Sequence, residues 1–245
     1  MPTLRRSEQV LHQLGQRIVH GHLRPGSILP KVEDFGVQEG VSRTVVREAL
    51  KGLEARGLVS SVQKVGTRVR PRSDWQWWNT EVMTWAMDSP WNREFFRQLT
   101  EVRMALEPKA AALAAQNATH EELDEIVRAF RKMEQALGDN QAWAIADYEF
   151  HQALAEATHN DLMSSLLRVF QNALIQSRIA TIHVLQEEAE AEGVQHGEIV
   201  LRYHGAVLEA ILQRQPVKAQ SAAATLLEAV ERLMRRAIPD SQETN

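Results

Sequence analysis

Cysteine is absent from all 245 residues, which excludes disulfides, thiolate metal sites, iron–sulfur ligation and cysteine nucleophiles. Any metal must therefore bind through His, Asp or Glu. Long apolar runs are missing too. None approaches the roughly 20 residues that a membrane-spanning helix needs, and the stretch MPTLRRSEQV lacks the apolar core of a signal peptide. A cytoplasmic location without a membrane partner is expected. The chain also contains no H-E-x-x-H, G-x-S-x-G or P-loop motif, the signatures of common hydrolytic and nucleotide chemistry.

What is present is uneven in charge. The whole chain carries −4, yet residues 1–72 hold 13 Lys/Arg against 6 Asp/Glu, net +7, while residues 73–245 hold 15 against 26, net −11. A cationic module of this size suits a polyanion such as DNA, where counterion release drives binding, and an acidic body is repelled from it. The division predicts a head at 1–72, a linker at 73–92 and a body at 93–240.

The head has readable punctuation. Val10, Leu11, Leu14, Ile18 and Val19 follow a helical period that ends at Gly21 and the Pro25-Gly26 turn. A short helix is expected over Lys31 to Glu39. Ser42 is a good N-cap for a third helix, Arg43 to Arg56, with Val46, Leu50 and Leu53 as its buried stripe and Gly57 as its stop. Residues 58–62 and 67–70 read as two strands around a turn at Gln63 to Gly66. Three helices followed by a hairpin make a winged helix-turn-helix.

Arg43 and Arg47 lie four apart in the first turns of that third helix, so they share the face a recognition helix presents to base edges. Lys64 at the wing tip, with Arg68 and Arg70 behind it, is placed to reach phosphate or an adjoining minor groove, and Gly66 permits close backbone approach. A solvated basic face is the competing reading of any one of these arginines.

The segment GHLRPGSILP…GVSRTVVREALKGLEARGLV…KVGTRV, residues 21 to 69, resembles the GntR family of bacterial transcription regulators. The resemblance implies that Ser42, Arg43 and Arg47, with Thr44 beside them, contact the operator, and that the wing around Lys64 and Gly66 enters the minor groove. Many members carry an arginine in the second helix where this chain has Glu33. Lys31 is the substitute at hand.

From Asp74 onward the pattern is helical. Five of the six tryptophans fall between Trp75 and Trp91, which reads as packing between head and body; a base-stacking platform is the alternative, opposed by the lack of basic residues from 75 to 89. Helices are expected at 95–116, 121–137, 141–158, 161–186, 198–213 and 216–238, an all-helical bundle. The fold class is thus mainly α.

Asp147 and His151 are four apart on one predicted helix, where carboxylate and imidazole share a face and can bind one cation. A surface contact or a satisfied core pair has the same spacing. His204 is a candidate from another helix whose neighbours Tyr203, Val207, Leu208 and Ile211 are apolar. His159 reads as a cap or turn residue, and the sequence does not place His183 and His196.

The body resembles the FCD ligand-binding domain of the FadR-type branch of that family. The resemblance rests on Glu101-Val102-Arg103-Met104-Ala105-Leu106-Glu107 and on Ala146-Asp147-x-x-x-His151-x-Ala153 followed by His159-Asn160. It implies a divalent metal, often zinc or nickel, held by an aspartate and three histidines and assisting an organic-acid effector. Asp147, His151 and His204 match three places, and Leu226 stands at the fourth. Arg103 is implied as the partner of the effector's carboxylate, for which a guanidinium offers a two-pronged match; a salt bridge to Glu107, one turn on, is its alternative. Gln152, Asn172 and Arg178 are candidates for hydroxyl groups without a spacing that selects among them.

The missing histidine and the Trp-rich segment most resemble the branch that regulates galactonate catabolism. The resulting expectation is a non-enzymatic, homodimeric repressor that binds operator DNA and leaves it when a sugar acid binds. Another carboxylate effector (hydroxy acid, amino acid or uronate) is the second reading, and a metal-dependent enzyme built on Asp147, His151 and His204 is a third.

Overall fold

A computed structural model of the chain describes residues 5–89, 92–179, 181 and 197–237. The chain divides into two compact units, Met1–Asn92 and Arg93–Asn245.

In the first unit, α1 (Arg6–Val19) buries the predicted stripe Val10, Leu11, Leu14, Ile18 and Val19. The second helix, α2 (Val32–Glu39), buries Phe35 and ends at Gly40 in the left-handed region. The third helix, α3 (Arg43–Ala55), starts at Ser42, whose Oγ accepts the Val45 N–H at 3.3 Å, and buries Val46, Ala49 and Leu53. Strands β1 (Val59–Val62) and β2 (Gly66–Val69) pair antiparallel with Val59 opposite Val69 and Val62 opposite Gly66. Residues beyond the Pro25-Gly26 turn line the other side of β2: the Leu29 N–H donates to the Thr67 carbonyl at 2.8 Å and the Val69 N–H to the Ser27 carbonyl at 2.9 Å. This third edge was not expected from the sequence. It satisfies backbone groups that an isolated two-stranded wing leaves open.

The segment expected to be a linker belongs to this first unit. Helix α4 (Thr80–Met87), capped by Asn79, lies on α1 and buries Trp85 to 1% exposure. Contact this close requires Gly15, because a Cβ there would fall 2.4 Å from the Trp85 ring. The indole Nε1–H donates to His12 Nδ1 at 3.1 Å, and His12 Nε2 faces Glu81 at 3.3 Å. Glu81 also pairs with Arg56 at the end of α3. Trp75 and Trp77 donate to the Arg70 and Arg72 carbonyls at 3.0 Å, with the Arg72 guanidinium over both rings. Trp91 lies outside the described residues.

The second unit is helical throughout its described residues: α5 (Asn92–Asn117, its first residue closing the first unit), α6 (His120–Gln135), α7 (Asn140–Glu156), α8 (Asp161–Val169), α9 (residues 171–179 and 181), α10 (Glu198–Leu212) and α11 (Pro216–Ala237). Side-chain caps start several of them, with Thr119, Asp139 and Asn160 each accepting first-turn N–H groups. The core gathers Ile126, Met133, Phe150, Ile211 and Leu226, all at most 1% exposed. The single helix expected over 161–186 is two: α8 closes at Phe170, which is fully buried, and a new helix starts at 171. The rest of that span, and the expected ends at 238 and 240, lie outside the described residues. No helix among the described residues is long and apolar enough to cross a membrane.

The Trp85 contact predicts a specific weakness. Trp85→Ala removes a fully packed indole and is expected to cost about 3–5 kcal/mol of stability in the first unit; Gly15→Leu, which forces the ring off α1, acts in the same direction. Urea unfolding of the full chain with hydrogen exchange of the α1 amides measures both. Unchanged α1 protection contradicts the contact.

Candidate functional site

Two sites emerge. On the first unit, Ser42, Arg43, Thr44 and Arg47 are all exposed along the start of α3, and Lys31, Lys64 and Gly66 are exposed nearby in sequence and on the wing. Lys64 has φ +63° and Gly66 φ +116°, so the tight wing tip holds a lysine outward. Arg43 Nη1 lies 3.7 Å from Glu33 Oε1, the acidic residue of α2. Arg70 is tied to Asp74 at 3.0 Å and contributes to the wing's anchoring; Arg68 stays exposed.

The second site is inside the helical unit. Helix α5 supplies Arg103 and Glu107, α7 supplies Asp147 and His151, α9 supplies Arg178 and α10 supplies His204, every one at most 7% exposed. The spacing of four in each of the first two pairs puts both members on one helix face. Arg103 Nε and Nη2 donate to the Glu107 carboxylate at 2.5 and 3.2 Å. Glu107 Oε2 also accepts from His151 Nδ1 at 2.9 Å. His204 Nδ1 donates to the Val200 carbonyl at 2.8 Å. Both imidazoles therefore carry a proton on Nδ1, and their Nε2 atoms point into the cluster, 3.2 Å apart. Asp147 Oδ1 lies 3.1 Å from His204 Nε2, and Asp147 Oδ2 accepts from Arg178 Nε. The three candidate ligands offer atoms that all lie within 4.8 Å of one another.

Electrostatics fix the charge states. Burial pushes His151 down, and the carboxylates of Glu107 and Asp147 do not offset it. Burial pushes Asp147 up, but Arg178 and the two imidazoles outweigh it and hold the carboxyl well below the usual range. Glu107 is likewise driven up by burial and held low by Arg103 and His151. Burial lowers Arg178, with the Arg103 charge adding to it. Two guanidiniums thus face two carboxylates, whose charges balance, around the two imidazoles. The rings of Phe150 and Trp143 pack edgewise on His204 and keep the surroundings apolar.

Beside His151 and Glu107 is a cavity of about 30 Å³ bordered by Leu106, Met163, Leu167 and Leu226. It has room for one or two waters. Leu226 stands on this wall as an apolar side chain and cannot ligate.

The structure brings Asp147, His151 and His204 together, and Arg103 makes the salt bridge to Glu107 that was its alternative reading. Two partners were underread. Glu107 bridges Arg103 and His151, a role its spacing of four from Arg103 hinted at. Arg178 had no local signal, since its partner Asp147 lies 31 residues away on another helix. Gln152 instead donates to Glu156 at 2.8 Å on the outer face, and Asn172 is exposed. His159 sits in the turn after α7 at φ +56° with its ring on Glu122 at 2.9 Å. His183 and His196 lie outside the described residues.

A winged helix-turn-helix joined to a helical unit with a buried polar cluster is the build of a ligand-responsive transcription regulator. Residues 6–69 match the gntR family of bacterial regulatory proteins and residues 98–229 match the FCD domain. The chain belongs to the GntR family of transcription regulators, in the FadR-type branch that carries an FCD domain. Among its relatives, the galactonate operon transcriptional repressor of Escherichia coli K12 is 28% identical, with 92% of this chain and 95% of that protein covered. The HTH-type regulator YieP of the same strain is 33% identical over 88% of this chain and 89% of its own. The transcriptional repressor NanR of Cronobacter sakazakii is 30% identical over 91% and 83%. In fold, the chain is similar to the Listeria monocytogenes protein Lar, with a TM-score of 0.60 at 18% identity, covering 96% of this chain and 98% of that one.

The charge states set a pH dependence in metal-free protein. In the unfolded chain the imidazole of His151 takes up a proton below about 6.5, whereas in the folded protein it stays neutral to lower pH. The unfolded state then binds more protons, so stability falls as pH drops below about 6.5, by up to about 1.4 kcal/mol per pH unit per proton. A second loss follows below about 4.5, where unfolded carboxyls protonate and folded Glu107 and Asp147 do not. Thermal melts from pH 8 to 4 check this, and His151→Gln is expected to flatten the first limb and, by removing a partner that holds Glu107 and Asp147 low, to shallow the second.

Proposed function

We propose that this regulator is a homodimeric repressor of sugar-acid catabolism that leaves its operator when an organic acid binds in the buried cluster, with a divalent metal on Asp147, His151 and His204. One observation carries the reading. Three ligand-type side chains converge, His204 Nε2 lying 3.1 Å from Asp147 Oδ1 and 3.2 Å from His151 Nε2, with both Nδ1 protons committed elsewhere. A cation between them takes a ligand atom from each. Two of the separations are close to the edge of a tetrahedral shell of zinc ligands, about 3.3 Å for bonds of about 2.0–2.1 Å, and the third, His151 Nε2 to Asp147 Oδ2, is 3.9 Å. Zinc and nickel both suit an imidazole and carboxylate set. The bound ion supplies a Lewis-acidic anchor for the acid.

This chain's residues do the rest. Three protein ligands, with Leu226 in the wall, leave coordination positions to the effector's oxygens. Arg103, oriented by Glu107, presents a further edge of its guanidinium to the carboxylate. The small cavity means that a six-carbon acid enters by moving Met163 and Leu167, which ties binding to a change of shape. The effector shifts the population toward the state with low operator affinity. Two copies of the first unit reading a near-palindromic operator explain the need for a dimer. The similarity to the galactonate operon repressor supports a sugar acid such as galactonate. A different carboxylate effector is the second reading.

A mobility-shift titration on the DNA upstream of the protein's own gene, at fixed salt, tests the proposal against a panel of acids with and without zinc. Release by galactonate is the expected result; binding that no sugar acid disturbs refutes the effector class. On the same DNA, Arg47→Ala is expected to weaken operator binding about 10- to 100-fold. Lys64→Ala is expected to weaken binding across sequences and reduce the salt slope by about one.

A further inference from the structure

The cluster contains a cation of its own at the carboxylate a metal must use. Asp147 has one oxygen toward His204 and the other on Arg178 Nε. The guanidinium is held there by α9: its Nη1 donates to the Leu174 carbonyl and to Ser177 Oγ, each at 3.3 Å. Arg178 and Asp147 are both buried, so their interaction is little screened. A divalent ion at the imidazole nitrogens therefore meets a fixed positive charge on the far side of the same carboxylate. Without an ion, the cluster's two guanidiniums and two carboxylates already balance.

We propose that Arg178 is a resident counter-ion that competes with the metal for Asp147, keeping metal binding weak and exchangeable, and that metal uptake loosens the Arg178–Asp147 pair. The inference rests on the metal reading given above. It departs from the usual expectation for a group hydrogen-bonded to a ligand's second oxygen, which orients that ligand and raises affinity. The two roles differ in sign. Orientation makes the metal bind less tightly when Arg178 is replaced, whereas competition makes it bind more tightly. The freed guanidinium becomes a second fork, with Arg103, for an organic anion, so metal and acid favour one another's binding.

The test is calorimetric titration of zinc into metal-stripped full-length protein, in wild type, Arg178→Gln and Arg178→Lys, with folding checked by circular dichroism. Arg178→Gln keeps a hydrogen-bond donor without the charge and is expected to bind zinc at least 10-fold more tightly. Arg178→Lys, which keeps the charge, is expected to stay within about 3-fold of wild type. Equal or weaker binding by Arg178→Gln, while wild type binds zinc, overturns the competition and leaves the metal site standing. Absence of zinc binding in both overturns the two together. A measurement on the unaltered protein is independent of any variant's folding: the Arg178 Nε–H resonance is expected to shift on stoichiometric zinc. An Arg178 signal unmoved at saturation also overturns the proposal.

Discussion

The constraint on which the second unit depends is electrostatic: four charged groups and two imidazoles lie inside a helical bundle, and none tolerates burial alone. Removing an ion from water costs several kcal/mol even after relaxation. Each carboxylate therefore meets a guanidinium, and each imidazole gives its Nδ1 proton to an oxygen. Helix geometry solves part of this locally, because Arg103 with Glu107 and Asp147 with His151 share faces one turn apart. The remainder needs α9 and α10 to deliver Arg178 and His204 to the same point. Losing one partner of a buried pair strands the other, at about 3–5 kcal/mol. The packing of four helices is thereby fixed in register by polar groups, with Phe150 and Trp143 excluding water around them.

The first unit treats charge in the opposite way. Its excess of cations sorts into two sets. Arg56, Arg70 and Arg72 are engaged with Glu81, Asp74 and the Trp75 and Trp77 rings, and they hold α4 and the turn before it in place. Lys31, Arg47, Lys64 and Arg68 remain exposed at the start of α2, along α3 and on the wing. Arg43 stands between the sets, exposed yet 3.7 Å from Glu33. Such an exposed pair contributes little to stability, about 0–1 kcal/mol. Its consequence is positional, since it restrains the first arginine of α3. Net charge alone overstates how many of these cations DNA can meet.

Features written within one helix or one hairpin were legible in the sequence. The stripe of α1, the Ser42 cap, the wing and the Asp147/His151 pair all follow from spacings of two to four residues, whereas in α3 Ala49 is buried where Leu50 was expected and Leu50 is half-buried. Features that depend on two distant segments were not. Arg178 meets Asp147 across 31 residues, and residues 27–29 pair with β2 across about forty, and neither leaves a periodic trace. The helix break at Phe170 also escaped the pattern, because an aromatic side chain continues an apolar stripe equally well inside a helix or at its end. The Trp-rich segment suggested packing without saying where; the answer lay in Gly15, whose missing side chain marks the Trp85 contact only once both helices are in view.

A charge-balanced interior has a consequence for any ligand that enters it. In a structural zinc site the ion is needed for folding, and its binding energy is absorbed there. Here two ion pairs balance the buried charges without the ion, and the adjoining wall that includes Leu226 is apolar. Ligand binding energy is then available to distinguish one conformation from another, which is the only quantity that can shift such an equilibrium. Adding a divalent ion to a balanced cluster leaves two positive charges in excess beside Arg103 and Arg178. Neutral sugars gain little from that field, and cations are repelled by it. An organic anion gains most, so the same charge balance that lets the unit fold empty also selects the chemical class of effector that the proposed metal would favour.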